Sequence, residues 1–172
     1  MKEFALYGLF AALLCAVTLI GLARISARSR PGPGPHRGRA MEGLVLAGFW
    51  AIGTAYVTLR TGSGLGARLN LVPLMFDGRG SVMDAIFNVL AFVPLGVALA
   101  VAGMRFPGAL AVGLASTLAI ETTQYVLDDG RTADINDVIT NTTGALVGWA
   151  LAATLRAVVE ATRSRGSTRR IA

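Results

Sequence analysis

Half of the ten carboxylates in this sequence lie within residues 119–148, AIETTQYVLDDGRTADINDVITNTTGALVG, between two apolar runs. Carboxylates close to amides and an arginine have three chemical uses: general acid–base work, coordination of an oxygen-binding cation, and hydrogen bonding to a polar ligand. Together with one asparagine from an earlier apolar run, they form what we call the polar set: Asn88, Glu121, Gln124, Arg131, Asp134, Asp137 and Asn141. We take the polar set as the candidate ligand-binding residues, and the sequence assigns no catalytic residue.

The composition of the chain indicates a membrane protein. Hydrophobic residues make up 53% of the 172 residues and charged residues only 15%, with a mean hydropathy of +0.59. A soluble domain usually carries about 25% charged residues. The net charge is +6, but the arginines stand beside apolar runs and not in a basic patch interleaved with aromatic residues. We therefore predict no nucleic-acid partner.

Cysteine and histidine are too scarce for several kinds of site. Cys15 is the only cysteine and lies in an apolar run, so it forms no intrachain disulfide and no thiolate metal site. His36 is the only histidine and stands in a Pro/Gly-rich stretch, which leaves no His-based metal site and no Ser-His-Asp triad. The residues imply no bound metal and no cofactor.

Five apolar runs are each long enough to cross the ~30 Å hydrocarbon core of a bilayer as a helix. They cover residues 4–23, 41–59, 85–104, 106–127 and 137–155. We predict an all-α fold, a polytopic membrane helical bundle with five transmembrane helices. The chain divides into a first transmembrane helix (1–23), a basic Pro/Gly-rich linker (24–40), a four-helix membrane domain (41–155) and a basic tail (156–172). A cleaved signal peptide is the alternative interpretation of the first run.

The distribution of lysine and arginine predicts the orientation of this bundle. Eleven of the sixteen basic residues lie in the linker, in the hairpin at Arg105 and in the tail, and the other five fall on the opposite side. The positive-inside rule makes the linker and the tail cytoplasmic, with the N-terminus outside and the C-terminus inside. We therefore predict a multi-pass protein of the cell membrane whose loops 60–84 and 128–136 face outward.

With this topology, three helices bring polar groups to the outer leaflet. At a rise of 1.5 Å per residue, Glu121 lies about 22 Å from the cytoplasmic end of its helix, and Asn141 lies about 10 Å below Asp134. Asn88 lies about 6 Å in from the outer end of its own helix. The polar set is therefore expected to converge in the outer third of the membrane.

A stripe of small residues continues the polar set on the last helix. Asp137, Asn141, Gly144 and Gly148 are separated by four, three and four residues, so they share one helix face. Gly144-x-x-x-Gly148 is a small-xxx-small pattern, which is typical of helices that approach each other closely. We predict the helix 106–127 as the neighbour, because a short loop joins it to the last helix.

The polar set also has purely structural interpretations. An acidic side chain at the centre of a spanning helix costs roughly 2.5–3.5 kcal/mol on insertion scales, so Glu121 should face the bundle, be paired or be protonated. Arg131 is its nearest candidate partner in the sequence, and a pair between them would lock the last two helices together. Asp134 stands at a helix start, where an aspartate often serves as the N-cap.

Five short motifs occur in a set order over residues 41–155. They are NLVPL at 70–74, FVPLG at 92–96 after Asn88, Glu121-x-x-Gln124, Arg131-x-x-Asp134-x-x-Asp137, and Asn141-x-x-Gly144-x-x-x-Gly148. This ordered combination resembles the VanZ-like family of small bacterial integral membrane proteins. The family is named for a protein that raises resistance to teicoplanin-type glycopeptide antibiotics, so the resemblance implies a membrane protein that acts at or near the cell envelope. It implies no proven catalytic residue.

Two functions from different classes fit the polar set. The first is a binding or protective protein whose outer-leaflet polar pocket holds an amphiphile, such as an acylated glycopeptide or an envelope lipid. Its partner would be a membrane lipid or amphiphilic envelope ligand. The sequence is also compatible with a homo-oligomer. The alternative is an intramembrane hydrolase or transferase acting on a lipid-linked envelope substrate, with Glu121 and Asp134 or Asp137 as acid and base or as oxygen ligands of a divalent cation. We favour the binding protein over the enzyme.

Overall fold

Five apolar helices follow one another along the chain in a computed structural model that describes residues 2–28, 36–58, 69–75, 78–127 and 130–168. The helices are α1 (Lys2–Arg28), α2 (His36–Thr58), α3 (Gly78–Val101), α4 (Phe106–Leu127) and α5 (Ile135–Thr168). Each contains a segment long and apolar enough to cross a membrane. The prediction of an all-α, multi-pass membrane bundle with five helices is confirmed, while its orientation stays a prediction.

Several helices extend beyond the apolar runs that predicted them. Helix α1 continues to Arg28 and α2 begins at His36, so both take up parts of the segment interpreted as a linker, and residues 29–35 lie outside the described residues. Helix α5 continues to Thr168, far into the segment interpreted as a tail. The physical reason is that hydropathy marks the length embedded in lipid, whereas a helix continues through polar residues as long as no proline interrupts it.

The hairpin between α3 and α4 is tight. Gly103 has a φ of +83°, and the amides of Gly103 and Met104 donate back to the carbonyls of Ala100 and Leu99 at 3.0 Å each. A glycine in the left-handed region is the usual way to satisfy the last carbonyls of a helix. The hairpin makes α3 and α4 antiparallel neighbours in the chain.

A short parallel β-pair joins two loops that are far apart in sequence, and the sequence did not predict it. Strand β1 (Leu69–Asn70) pairs with β2 (Ala133–Asp134), and Asn70 stands opposite Asp134 in the register. The chain before α3 is thereby attached to the chain before α5. We call the end of the bundle that carries this pair the β-pair end.

Helices α3 and α5 pack in direct contact through glycines, which corrects one expectation. A Cβ atom at Gly144 would meet the carbonyl oxygen of Val89, and one at Gly148 would meet that of Val93. The neighbour of the small-residue stripe is therefore α3 and not α4. The two contacts advance together along both helices, so α3 and α5 run in the same direction. This arrangement is possible because α4, which lies between α3 and α5 in the sequence, returns the chain to the β-pair end.

The core lies around α3. Its second half is almost continuously buried, with Phe92, Val97 and Ala98 at most 1% exposed. Trp50 of α2 packs edge-on against Phe92 with ring centroids 4.9 Å apart, and its indole N–H donates to the Ala91 carbonyl at 2.7 Å. These contacts attach α2 to α3 near the middle of both helices, whereas the polar groups lie at the helix ends.

Arginines satisfy helix C-termini at the end opposite the β-pair. The Arg156 guanidinium donates to the Ala100 carbonyl in the last turn of α3 at 2.6 Å, and Arg163 donates to the Ser26 carbonyl near the end of α1 at 3.1 Å. Cations are favoured there by the helix dipole. The helical continuation of α5 is thus attached to α1 and α3.

Candidate functional site

Asp134 organises the polar residues at the start of α5. Its Oδ1 accepts a hydrogen bond from the backbone amide of Asn136 at 2.8 Å, and its Oδ2 accepts one from the Asn70 side chain at 3.0 Å. The first of these bonds is the geometry of a helix N-cap. Its own backbone amide donates to Glu121 Oε2 at 2.8 Å. Both carboxylate oxygens of Asp134 are therefore engaged within the protein.

Asn136 is a central member of the network that sequence reasoning left out of the polar set. It is 5% exposed. Its Nδ2 donates to the Val72 carbonyl at 3.1 Å and to Asp134 Oδ1 at 2.9 Å, and its Oδ1 accepts from the Leu74 amide at 2.6 Å. The sequence feature that could have identified Asn136 is its amide side chain between Asp134 and Asp137 at the start of a helix. Its loop partners lie more than sixty residues away, so spacing did not reveal them.

Asn88 and Asp137 join α3 to α5 at the same end. The Asn88 amide donates to Asp137 Oδ1 at 2.7 Å. Because α3 and α5 run in parallel and in contact, a residue near the start of one can reach a residue near the start of the other. The expected convergence of these two positions is present in the structure.

Gln124 and Arg131 hold the end of α2. The Gln124 side-chain amide donates to the Thr58 carbonyl at 2.8 Å, and an Arg131 guanidinium nitrogen lies 3.4 Å from the Val57 carbonyl. These carbonyls belong to the last turn of α2, where the helix itself supplies no donor. Glu121 takes the Asp134 backbone as its hydrogen-bond partner, so Glu121 joins α4 to β2 while Gln124 joins α4 to α2.

Asn141 lies one helical turn below Asp137 and is 4% exposed. Its Nδ2 donates at 3.0 Å to Thr117 Oγ1, which lies one turn below Glu121 on α4. Among the residues that the structure describes, its buried Oδ1 accepts no hydrogen bond, and the buried Thr54 Oγ1 on α2 has no partner either. A buried polar atom without a partner costs about 1–3 kcal/mol. The interior below the carboxylates therefore has unused hydrogen-bonding capacity.

The free oxygens at this end are acceptors. Glu121 and Asp137 each bond through one carboxylate oxygen, and within the described part of the chain the second oxygen of each has no donor. Asn141 Oδ1 adds a third acceptor. Three acceptors on α4 and α5 suit a ligand that supplies hydrogen-bond donors, such as an ammonium, hydroxyl or amide group. Within the described residues, no group of three or more histidine, cysteine or acidic side chains could hold a metal ion.

An open groove of about 470 Å³ runs along the β-pair half of α4. Residues that line it are Leu118, Ala119, Thr122, Thr123, Val126 and Leu127. At 100° per residue, the centre of this lining lies about 150° around α4 from Glu121. This groove is therefore separate from the polar set, whose members face the interior of the bundle or its end.

Comparison with known proteins gives a family match over most of the chain. The VanZ/LLP1 family model matches residues 9–156. A curated relative, "Protein VanZ" of Enterococcus faecium, is 39% identical over 85 residues, which are 48% of this chain and 51% of that protein. The chain thus spans about half the length of this curated relative. No solved structure matches.

Proposed function

Because this chain belongs to the VanZ/LLP1 family, we propose that it acts at the cell envelope by binding an amphiphile at the β-pair end. The ligand class is an acylated glycopeptide or an envelope lipid, and tolerance to such glycopeptides is the expected consequence. The apolar helices would accommodate the acyl part, and the polar set would receive the polar part. Apolar walls with a few placed polar groups are the usual composition of a site for such a ligand.

The observation that carries this proposal is the surplus of acceptors. Gln124, Arg131 and Asp134 are engaged in holding α2 and the start of α5. Within the described residues, Glu121 and Asp137 each have one carboxylate oxygen that accepts no hydrogen bond, and the buried Oδ1 of Asn141 has no donor. A network needed only for helix packing gains nothing from an unmatched buried acceptor, because that atom destabilises the fold. A donor from a ligand would satisfy it.

The orientation of the bundle completes the proposal. Arg24, Arg156 and Arg163, described arginines of the linker and tail, lie at the end opposite the β-pair, and the positive-inside rule assigns that end to the cytoplasm. The β-pair end would then face outward, where an antibiotic or an envelope lipid in the outer leaflet has access to it. The polar set would act at the height of the outer headgroups.

The test replaces a carboxylate at the β-pair end and compares it with one elsewhere. Glu121→Gln keeps the size and the hydrogen bond to the Asp134 amide but removes the charge. Glu160→Gln removes an exposed carboxylate from the far part of α5 and is the matched control. Both variants are expressed in a susceptible host, and susceptibility to teicoplanin is measured together with abundance in the membrane.

We expect Glu121→Gln to lose protection at unchanged abundance while Glu160→Gln protects like the unaltered protein. Loss of abundance in parallel with protection would identify Glu121 as a packing residue and overturn the proposal. A glycopeptide of the same class without an acyl chain serves as the second probe. Protection of equal strength against both compounds would remove the amphiphile from the proposal.

The alternative function is a hydrolase or transferase that acts on a lipid-linked envelope substrate. The same two carboxylates favour it, since Glu121 and Asp137 stand on neighbouring helices and each has one oxygen that no described residue occupies and that can take or give a proton. Purified protein incubated with a lipid-linked envelope precursor distinguishes the two functions. Release of product that stops with Asp137→Asn would establish the enzyme, whereas saturable binding without turnover would establish the binding protein.

A further inference from the structure

Five consecutive apolar residues, Leu71, Val72, Pro73, Leu74 and Met75, are exposed at the β-pair end. We call residues 71–75 the apolar loop. Leu71 is 66% exposed and Leu74 is 68% exposed, and the loop contains no charged or hydrogen-bonding side chain. Runs of exposed apolar residues are rare on water-facing surfaces and mark an interaction site.

Three backbone groups of the apolar loop form hydrogen bonds with amide side chains. The Val72 amide donates to Asn70 Oδ1 at 3.1 Å, and the Val72 carbonyl accepts from Asn136 Nδ2 at 3.1 Å. The Leu74 amide donates to Asn136 Oδ1 at 2.6 Å. In water these groups would be satisfied by solvent. In an apolar medium each unsatisfied group costs several kcal/mol, so these three bonds lower the cost of moving the loop out of water.

Leu74 is held in a conformation that its side chain disfavours. Its φ is 58°, in the left-handed region, which costs a residue with a Cβ atom roughly 1–2 kcal/mol. A water-facing turn normally places glycine or asparagine at such a position. Here the Asn136 bond holds the backbone while the leucine side chain points away from the protein. Strain of this kind is retained where the surrounding structure and a function require it.

The position of the apolar loop connects it to the lipid-facing surface. The β-pair attaches the loop to the start of α5, at the end where Asn88 bonds to Asp137. Exposed apolar side chains continue from there along the first half of α3, with Val82 at 45% and Phe87 at 59%. In a membrane-spanning bundle, this face of α3 is covered by lipid.

We propose that the apolar loop inserts into the membrane leaflet at the β-pair end, at the boundary between headgroups and acyl chains. Leu71 and Leu74 would be its main contacts with lipid. Insertion would attach the chain before α3 to the membrane surface and, through Asn136 and Asp134, set the height of the polar set. The proposal does not depend on what the polar set binds.

The experiment places an environment-sensitive fluorophore on single cysteines in the full chain, with Cys15→Ser as the background. The reporters are Leu71→Cys and Leu74→Cys. Leu71→Cys keeps the experiment decisive if position 74 does not tolerate the change, because Leu74 alone of the described non-glycine residues has a positive φ. Arg79→Cys, an exposed position near the start of α3, is the control at the same end, and Leu118→Cys on the lipid-facing side of α4 is the bilayer control.

The labelled proteins are reconstituted into vesicles of dioleoyl phosphatidylcholine and phosphatidylglycerol. We expect positions 71 and 74 to show blue-shifted emission and several-fold weaker quenching by aqueous iodide than position 79. Lipids brominated near the carbonyl end of the acyl chain should quench them most strongly, because an interfacial segment enters about 5–10 Å. Position 118 should respond most to bromines deeper in the chain. Iodide quenching at positions 71 and 74 equal to that at 79 would overturn the proposal and point to a protein partner.

Discussion

The Asp137 carboxylate on α5 accepts a 2.7 Å hydrogen bond from the Asn88 side-chain amide on α3. The two residues lie 49 positions apart, and the bond forms because the glycine contacts deeper in the bundle bring the two helices together. A single amide thus satisfies one oxygen of a carboxylate within a membrane-spanning segment.

Replacement of Asn88 should destabilise the bundle, and the loss of stability should depend on which side chain then faces Asp137. Asn88→Ala removes one interhelical hydrogen bond, which is worth about 0.6 kcal/mol on average in a membrane protein. Asn88→Asp sets two carboxylates against each other and should cost more. Unfolding in detergent measures both, and Thr123→Ala, which removes a bond to the Ala119 carbonyl of the same helix, is the control. Equal stability of the two Asn88 variants would contradict this account.

The glycines between α3 and α5 should not tolerate a methyl group. Gly144→Ala and Gly148→Ala would each place a Cβ atom against a backbone carbonyl of α3, and overpacking of this kind costs about 1–3 kcal/mol. Gly48→Ala is the matched control, because nothing lies within 4 Å of its added methyl group. Thermal unfolding in detergent should separate the first two variants from the third. Unchanged unfolding of Gly144→Ala would mean that α5 has another neighbour.

Loss of the Asn136 amide should release the apolar loop. Asn136→Ala removes the acceptor for the Leu74 amide, and a hydrogen bond worth about 1 kcal/mol corresponds to roughly a fivefold change in exchange rate. Hydrogen exchange of the Leu74 amide should therefore accelerate, while that of the Val72 amide, whose acceptor is Asn70, changes less. Ser81→Ala, which removes a bond to the Gly78 carbonyl, is the control. Exchange that stays slow at Leu74 would show that the amide does not hold the loop.

A double variant at Thr117 and Asn141 tests whether the buried Oδ1 of Asn141 serves function and not stability. Thr117→Val combined with Asn141→Leu removes the donor, its acceptor and the orphan oxygen together, and replacing both partners by apolar groups is nearly neutral or stabilising. We expect an unfolding free energy equal to or above that of the unaltered protein, together with loss of protection against teicoplanin. Thr117→Val alone should be less stable than the double variant. Full protection by a stable double variant would exclude Asn141 from the ligand site.

Local chemistry made part of the site predictable. The run 106–127 coincides with α4, because a glycine-containing turn precedes it and an acidic loop follows it. Asp134 stands where an N-cap is expected, and its Oδ1 accepts from the Asn136 amide as an N-cap does. Asn88 and Asp137 converge as their depths suggested. These features follow from helix rise, helix phase and capping, which are properties of a few neighbouring residues.

Other features depended on partners that spacing along the chain does not reveal. Asn136 looked like one more polar residue in a charged turn, yet it holds a loop that lies more than sixty residues earlier. Gln124 was grouped with Glu121 because the two share a helix face, but its side chain bonds to the end of α2. Such assignments need the rotation of each helix about its own axis, and the sequence specifies that rotation only through the packing of all five helices.

The sequence by itself determined the class of this protein, the number of its membrane helices and the end of the bundle at which its polar residues gather. Those properties depend on how many apolar residues follow one another, because a bilayer has a fixed thickness and backbone groups must be satisfied within it. Only the tertiary structure decided that Gly144 and Gly148 face α3, and that Asn136 anchors the apolar loop. Lipid favours neither side of an apolar helix, so the close approach of backbones at small residues, and not hydrophobicity, selects which helices become neighbours.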